Sequence, residues 1–448
     1  MTIPDAPRTG DEVETGPSTA TSSGAPDPAI DEDLTSGAAP GALVAPPEVT
    51  ATSLPEYFRA SIVRIRAGEA GVLPVVGGLI IIAIVFQTLN SKFLTAGNLV
   101  NLLIQGSPYI LLALGETYAL LLGEIDLSIG FVSGIGGVVT AELLKSSTGW
   151  PWWAAVLGGL LACALIGLLQ GSIITRLGLP SFVVTLAGLL GWQGVMLMVL
   201  GTGGAVAIND ETINNITSGH LTVAASWIVM ILAVAAYGAL TWLRETRRRR
   251  SGLVAPPVSL TILKIAGVAV AGVVLVLICN TDRGVLVPIR GIPWVVLVVA
   301  VVFVAWTVLL GRTRYGRHLY AIGGNAEAAR RAGIRLADVR TVAFMLGSFT
   351  AGIAGIVNAS YLRSVSTALD GGTLVLYAVA AAVIGGTSLF GGRGKASSAL
   401  LGGLVIAAIA NGMGLQGYSA AANKVVTALV LLAAVAIDAI ARRGRTAR

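Results

Sequence analysis

Long apolar stretches, uninterrupted by charge, constrain the fold of this chain more than any motif. Of its 448 residues, 55% are hydrophobic and 12% are charged, whereas soluble globular domains carry about 25% charged residues. A bilayer core requires about 20 apolar residues per helix. We therefore predict an all-α polytopic membrane protein with about twelve transmembrane helices, at residues 72–89, 108–124, 127–145, 152–175, 181–201, 222–243, 259–279, 292–310, 341–361, 373–390, 396–415 and 421–441.

The distribution of basic residues predicts the orientation of these spans, because Lys and Arg concentrate in cytoplasmic loops. The basic clusters lie between alternate spans, at Arg59, Arg64 and Arg66, at Arg176, at Arg244 and Arg247–Arg250, within 311–340, at Arg393 and Lys395, and at Arg442, Arg443 and Arg445. The loop 202–221 contains no Lys or Arg. All clusters lie on one side of the membrane if both termini are cytoplasmic, and we predict that topology. The short junction Glu124–Leu127 also predicts that the second or third span is broken or re-entrant.

The first 55 residues differ in composition from the rest of the chain. They are rich in Ala, Pro, Ser, Thr and Gly, and contain nine acidic residues against one basic residue, Arg8. Such a segment cannot bury enough apolar surface to fold, and it lacks the basic and apolar regions of a signal peptide. We predict a disordered acidic cytoplasmic tail at 1–55, followed by a transmembrane domain at 56–448.

The segment Gly311–Arg340, called here the cytoplasmic loop, is a polar stretch between two predicted spans. It contains seven arginines and two acidic residues. Four signals predict a short helix over Ala326–Ala332, namely an N-cap at Asn325, an acid in the first turn at Glu327, basic residues in the last turn at Arg330 and Arg331, and a glycine past its end at Gly333. Such residues satisfy the free ends of a helix and complement its dipole. Because so short a helix is marginal alone, flanking structure or a partner must hold it.

The sequence contains no recognisable catalytic constellation. GGRGKAS at 391–397 approaches a phosphate-binding loop, but that loop needs Gly and Ser or Thr where this chain has Leu389 and Ala396. The two cysteines, Cys163 and Cys279, lie in separate apolar runs and predict neither a disulfide nor a cysteine-based metal site. We therefore expect no catalysis, no cofactor and no metal in this chain.

Polar side chains within the spans are candidates for a solute pathway. They are Gln105, Tyr109, Glu116, Gln170, Trp192, Gln193, Asn358, Tyr377 and Asn411. Amides, hydroxyls and aromatic rings suit a neutral sugar, and they also suit other small polar solutes. An acid inside a span must face protein or water, so the deepest acid, Glu116, either lines the path or braces it through hydrogen bonds. Glu124 and Asp126 are expected at the membrane interface.

Four motifs resemble, in order along the chain, those of the monosaccharide (ribose, xylose and galactose type) permeases of ATP-binding-cassette (ABC) transporters. They are GEIDLSIG, PSFVVTLAGLLGWQG, GRHLYAIGGNAEAARRAGI and VIGGTSLFGGRGKASSALLGG. In the third, Glu327-Ala328-Ala329, three further residues and Gly333 resemble the EAA-xxx-G coupling loop of ABC permeases. The resemblance spans residues 70–440 and is strongest to xylose-type members, although Val375 and Tyr377 stand where many relatives carry acids.

This resemblance implies a ten-helix core of the cobalamin-importer type (type II), enlarged here by an inserted pair of spans around RRRRSGLVAPP. It implies an importer of a monosaccharide, such as the pentose xylose, in the bacterial inner membrane. The implied partners are a second copy of the permease, cytoplasmic ATPase subunits that bind ATP and Mg²⁺, an extracytoplasmic sugar-binding protein and membrane lipid, but no nucleic acid. The ATPase-coupling residues expected from it are Asn325, Glu327, Ala328, Ala329, Arg330 and Gly333.

Two other classes of transport protein fit part of this pattern. A proton-coupled sugar symporter would also have about twelve spans and cytoplasmic termini, but it needs titratable groups within the membrane, and only Glu116 qualifies. An ion channel needs a filter loop or a ring of charges, and the sequence shows neither.

Overall fold

The computed structural model describes residues 56, 59, 73–253, 256–284, 287–419, 421–430 and 432. All of them lie in Pro47–Arg448, the second of the two units into which the chain divides. The acidic tail predicted at 1–55 and the basic cluster at Arg442–Arg445 fall outside the described residues, so the division into tail and transmembrane domain stays a prediction.

The described chain is almost entirely helical. Its elements are α1 Leu73–Leu89, α2 Ala96–Leu121, α3 Ile129–Leu143, α4 Trp152–Arg176, α5 Ser181–Leu200, β1 Ala205–Ala207, α6 Glu211–Ser218, α7 Val223–Arg250, α8 Val258–Asn280, α9 Trp294–Arg312, α10 Arg314–Gly324, α11 Ala326–Arg331, α12 Leu336–Leu362, β2 Ser364–Ser366, α13 Gly371–Ile384, α14 Ala396–Leu415 and α15 Ala421–Val430. In this part of the chain eight helices are long and apolar enough to cross a membrane, and four shorter apolar helices accompany them. Each corresponds to one predicted span, which confirms the all-α polytopic fold.

The largest boundary error concerns α2. The span predicted at 108–124 begins at Ala96 instead, capped by Thr95. Polar residues made the first turns look unsuited to a membrane, but Asn98 donates to Asn411 Oδ1 at 2.8 Å and Gln105 accepts from Asn411 Nδ2 at 3.4 Å. These side chains therefore face protein rather than lipid, which a count of apolar residues along one helix cannot reveal.

Contacts between the segments that connect the spans agree with the predicted topology. On the predicted outer side, β1 pairs antiparallel with β2, and Lys424 forms a 2.7 Å ion pair with Asp370. On the predicted cytoplasmic side, the loop after α13 donates a hydrogen bond from Gly392 N to Leu121 O at 2.9 Å. Each contact joins loops that the basic clusters assign to the same side of the membrane.

Helix α2 lies at the centre of the bundle, with α12, α13 and α14 packed around it and α3 and α4 packed against α12. By contrast, α7 and α8 pack mainly on each other, and only 6% and 11% of their apolar windows are buried. These two helices are the predicted inserted pair. Because they lie at the periphery, the central helices of the bundle can pack together without them.

Candidate functional site

The short helix of the cytoplasmic loop has the N-cap that the sequence predicts. Asn325 has an extended backbone, and its Oδ1 accepts a hydrogen bond from Ala328 N at 2.9 Å. The helix α11 then runs for six residues and ends at Arg331, one residue earlier than predicted, because Ala332 is its C-cap. The Asn325 side chain thus satisfies one of the free backbone N–H groups of the first turn.

The C-terminus of α11 is closed by a Schellman motif. Gly333 has φ = +81°, and its N–H donates to Arg330 O at 2.9 Å while Ile334 N donates to Ala329 O at 3.1 Å. This pair of bonds defines the motif. The glycine therefore reverses the chain immediately after the helix, and Ile334 and Leu336 pack into the apolar cluster beneath it.

Helix α11 presents one face to the protein and the others to solvent. Ala329 is 5% exposed and packs in a cluster with Leu319 and Ile322 of α10 and Tyr118 of α2. The remaining predicted coupling residues are exposed, and they are Asn325, Glu327, Ala328, Arg330 and Gly333. Ala329 consequently anchors the helix from below, whereas its neighbours form the surface that a partner can reach.

Glu327 is already paired within its own helix. Its carboxylate lies 2.7 Å from Arg330 Nη2 and 3.2 Å from Arg331 Nε. Because all three side chains are more than half exposed, these pairs are too well solvated to add much stability. The charges are therefore available to a partner at little cost to the fold.

An additional helix, α10, precedes the short one and was not predicted from the sequence. Its buried positions are Gly316, Leu319 and Ile322, which are spaced by three residues and define one face of an amphipathic helix. Thr313 caps it by accepting from Gly316 N at 3.1 Å. The spacing was a usable signal, but the polar residues Arg317 and His318 between the first two positions obscured it. As a result α11 is held by a second helix rather than by loop alone.

Four of the predicted pathway residues lie together between α2, α13 and α14. Asn411 bridges Gln105 and Asn98 through the hydrogen bonds described above. The rings of Tyr109 and Tyr377 meet edge to face with their centroids 5.4 Å apart. This outer cluster combines amides and aromatic edges without a charge, which is the lining expected for a neutral polar solute.

Glu116 belongs to a second polar cluster, near the cytoplasmic end of α2. It is 0% exposed, and its Oε1 accepts a hydrogen bond from Asp126 N at 3.1 Å. Asp126 Oδ1 in turn accepts from the backbone N and the hydroxyl of Ser128, at 2.9 and 2.6 Å. Asp126 is only 2% exposed, so its side chain faces protein rather than solvent, and its expected position at the membrane interface stays a prediction.

Gln170 and Trp192 extend this inner cluster. The Ser128 hydroxyl contacts Gln170 Oε1 at 3.0 Å as well as Asp126, yet it has one proton for two acceptors. Gln170 Nε2 and Trp192 Nε1 have no hydrogen-bond partner among the described residues, and both lie near Gly188. The opposite amide orientation of Gln170 resolves this conflict, because its nitrogen then donates to the Ser128 oxygen and the Ser128 proton is left for Asp126.

The position of Glu116 favours a bracing role over proton transfer. It lies five residues before the end of α2, about 7.5 Å along the helix axis, and it holds the peptide that follows the helix break. Among the buried side chains described, Glu116 Oε2 and Asp126 Oδ2 keep no hydrogen-bond partner. The hydrogen bond from Asp126 N to Glu116 therefore indicates that Glu116 braces the connection between α2 and α3.

We therefore predict that Glu116→Gln leaves uptake within about twofold of wild type with an unchanged pH profile, since the amide preserves shape and hydrogen bonding. Glu116→Leu, which removes the acceptor for Asp126 N, is expected to lose most of the uptake because it leaves a buried donor unpaired. The measurement is initial uptake at several pH values, normalised to permease in the membrane. Abolished uptake in the Gln variant would instead favour a proton-carrying role.

The remaining pathway candidates do not join either cluster through a described hydrogen bond. Gln193 on α5 and Asn358 on α12 are half-buried. A groove of about 710 Å³ between α6, α9 and α12 is lined mainly by apolar residues such as Trp294 and Val298, and it includes none of the predicted pathway residues. Its lining does not suit a polar solute.

Comparison with known proteins identifies the family. Residues 98–435 match the family described as "Branched-chain amino acid transport system / permease component". The match covers more than half of the chain, and the chain belongs to this family. It is therefore a permease component of an ABC transport system, a multi-pass protein of the cell membrane, and a transport subunit rather than an enzyme.

Curated relatives narrow the resemblance to sugar permeases. The xylose transport system permease protein XylH of Escherichia coli (strain K12) is 31% identical over 373 residues, covering 83% of this chain and 92% of that protein. The protein of the same name from Haemophilus influenzae is 32% identical over 361 residues, covering 80% and 93%. The ribose import permease protein RbsC of Escherichia coli (strain K12) is 29% identical over 360 residues, covering 80% and 91%. These matches confirm the predicted monosaccharide-permease family and its similarity to xylose permeases, while no solved structure matches the chain significantly.

Proposed function

We propose that this chain is the membrane-spanning subunit of an ATP-driven importer of a monosaccharide, with a pentose such as xylose as the substrate. Two copies of the chain assemble with two cytoplasmic ATPase subunits, which bind ATP and Mg²⁺, and receive sugar from an extracytoplasmic binding protein. The observation that carries this proposal is the helix α11. It is capped at both ends, exposed on its outer face and anchored by the buried Ala329, and it lies in a chain that is related to sugar permeases.

The coupling step follows from the geometry of that helix. Closure of the ATPase dimer on ATP pushes on the exposed face of α11, and the buried Ala329 passes the force into the cluster shared with α2 and α10. Because α9 and α12 flank the cytoplasmic loop, they tilt with it. The permease then alternates between outward and inward openings, and selectivity for the sugar comes mainly from the binding protein.

The outer cluster supports a sugar as the transported solute. Gln105 and Asn411 offer amide donors and acceptors, and Tyr109 and Tyr377 offer aromatic surface. A sugar needs both, since its edges form hydrogen bonds and its faces are apolar. None of these four side chains is charged, so the cluster is not expected to bind ions.

The proton-coupled symporter is the competing proposal, and a transport assay separates the two. Permease is reconstituted into proteoliposomes with its ATPase and binding protein, and uptake of radiolabelled xylose is measured with ATP on the ATPase side. We expect uptake that requires ATP and persists when an uncoupler removes the proton gradient. Uptake that ignores ATP and collapses with the uncoupler would reject the ABC mechanism in favour of symport.

A charge reversal at Glu327 tests the docking role of α11. Glu327→Lys places a cation at the positive end of the helix dipole, and the new lysine repels Arg330 and Arg331. We therefore expect at least a fivefold loss of co-purified ATPase, with the amount of permease in the membrane unchanged. The matched control is Asp338→Lys, an exposed acid in the first turn of α12. Equal loss in the control would mean that overall charge, and not this helix, governs association.

The acidic tail is expected to be dispensable for this function. Its composition predicts a solvated segment, so deletion of residues 2–50 should leave the amount of assembled transporter and the rate of uptake unchanged. Uptake measured per permease in the membrane is the readout. A loss of uptake at normal membrane levels would assign the tail a role in transport.

A further inference from the structure

Three cytoplasmic segments meet through backbone contacts next to α11. They are the end of α2 at Leu121, the end of α10 at Gly323 and the loop after α13 at Gly392. Gly392 N donates to Leu121 O at 2.9 Å, and a Cβ atom on Gly323 would clash with the same carbonyl and lie 2.5 Å from Gly392 N. Because these contacts join backbone atoms directly, a displacement of α10 acts on both of the other segments.

An ion pair connects the start of α12 to the segment that follows α2. Arg340 Nε, in the second turn of α12, lies 2.6 Å from Glu124 Oε1 in the break between α2 and α3. The Glu124 side chain is 13% exposed and that of Arg340 is 29% exposed, unlike the open pairs on α11. Burial raises the pKa of the Glu124 carboxyl, and the charge of Arg340 opposes that rise. Arg340 therefore favours the charged form of Glu124 in this partly buried position.

Glu124 is also tied to the inner polar cluster through the chain itself. Two residues further on, Asp126 N donates to the buried Glu116, and Asp126 receives both hydrogen bonds of Ser128. A pull on Glu124 therefore acts on the peptide that Glu116 holds at the end of α2. No other described ion pair connects the cytoplasmic loop to a different part of the bundle.

We propose that the Arg340–Glu124 pair is a positioning link that carries movement of the cytoplasmic loop sideways to the break between α2 and α3. Opening of the pathway to the cytoplasm requires this link, whereas docking of the ATPase on α11 does not. The inference rests on the proposed function, because it assumes that an ATPase moves the loop. A static brace is the alternative, and it would affect stability without affecting the number of sugars moved per ATP.

The test uses the reconstituted full transporter with Glu124→Gln, Arg340→Gln and the double variant, each of which keeps a polar side chain of similar length or volume. The exposed pair Arg335–Asp338, at 3.1 Å with side chains 87% and 57% exposed, supplies the matched control, as Arg335→Gln and Asp338→Asn. For every variant we measure co-purified ATPase, ATP turnover, thermal stability and xylose moved per ATP hydrolysed.

We expect the two single variants to retain the ATPase and at least half of the ATP turnover, while xylose moved per ATP falls at least tenfold. The double variant should be no worse than either single one, because residues that act as one link are not additive. The control variants should match wild type. Full coupling in the single variants, a loss of bound ATPase, or a loss of stability alone would each overturn this inference while the proposed function stands. Wild-type permease that binds no ATPase would overturn both.

Discussion

Replacing Gly333 with valine is expected to leave the permease in the membrane and to uncouple it from its ATPase. The residue has φ = +81°, where a β-branched side chain is a conformational outlier and a non-glycine residue costs about 1–2 kcal/mol. Beyond the two neighbouring residues, no atom of the described part of the chain lies within 4 Å of the added Cβ, so the penalty comes from the backbone conformation. This conformational penalty falls on a helix of only six residues, which is too short to remain stable against it. We expect co-purified ATPase and ATP-driven uptake to fall roughly 5- to 30-fold.

Gly324→Val is the matched control for that change. Gly324 lies in the same cytoplasmic loop, a Cβ atom on it would also meet open space, and it is not among the described residues with positive φ. It should therefore keep near-normal ATPase association. Association and uptake at wild-type levels in Gly333→Val would show that the end of α11 does not matter for docking.

Replacing Gly323 with alanine is expected to destabilise the fold. The single added carbon overlaps the carbonyl oxygen of Leu121 and approaches Gly392 N to 2.5 Å, and both are backbone atoms that no rotamer change can move. Overpacking of a tight contact typically costs about 1–3 kcal/mol, and occasionally more. We expect a cost at the upper end of that range, seen as a lower unfolding temperature in detergent and a lower yield of monodisperse protein.

The adjacent residue again gives the control. Gly324→Ala adds the same carbon to open space at the end of α10, where alanine favours the helix by up to about 1 kcal/mol over glycine. The two neighbouring substitutions should therefore differ in the sign of their effect. An unfolding temperature unchanged in Gly323→Ala would mean that the junction is looser than its contacts indicate.

Features set by local chemistry were predictable from the sequence. The cap at Asn325, the left-handed Gly333 and the return of Ile334 toward the protein each depend on a few adjacent residues, and the structure has all three. The number and order of apolar spans were predictable for the same reason, since each span is a property of one segment. The family motifs added the expectation that the short helix meets an ATPase.

Features that depend on distant partners were not predictable in the same way. Asp126 is an acid near the end of a span, and only its bonds to Ser128 and Glu116 explain why it is buried. The start of α2 was misplaced because Asn98 finds its partner 313 residues away, at Asn411. The ion pair between Glu124 and Arg340 spans 216 residues. A single sequence carries no signal that would pair these groups.

Cross-linking at adjacent positions of α11 tests the central claim most directly. Ala328 is exposed and Ala329 is 5% exposed, and adjacent helical positions differ in direction by about 100°. Ala328→Cys therefore presents its thiol to solvent, whereas Ala329→Cys presents it to the protein interior; the native Cys163 and Cys279 are buried and add little background. A short thiol-to-amine reagent is applied to the assembled transporter, and products are resolved by mass. We predict a cross-link between permease and ATPase from position 328 and none from position 329. An assembled transporter that gives no cross-link from position 328, or equal cross-links from both, would contradict docking of the ATPase on this helix.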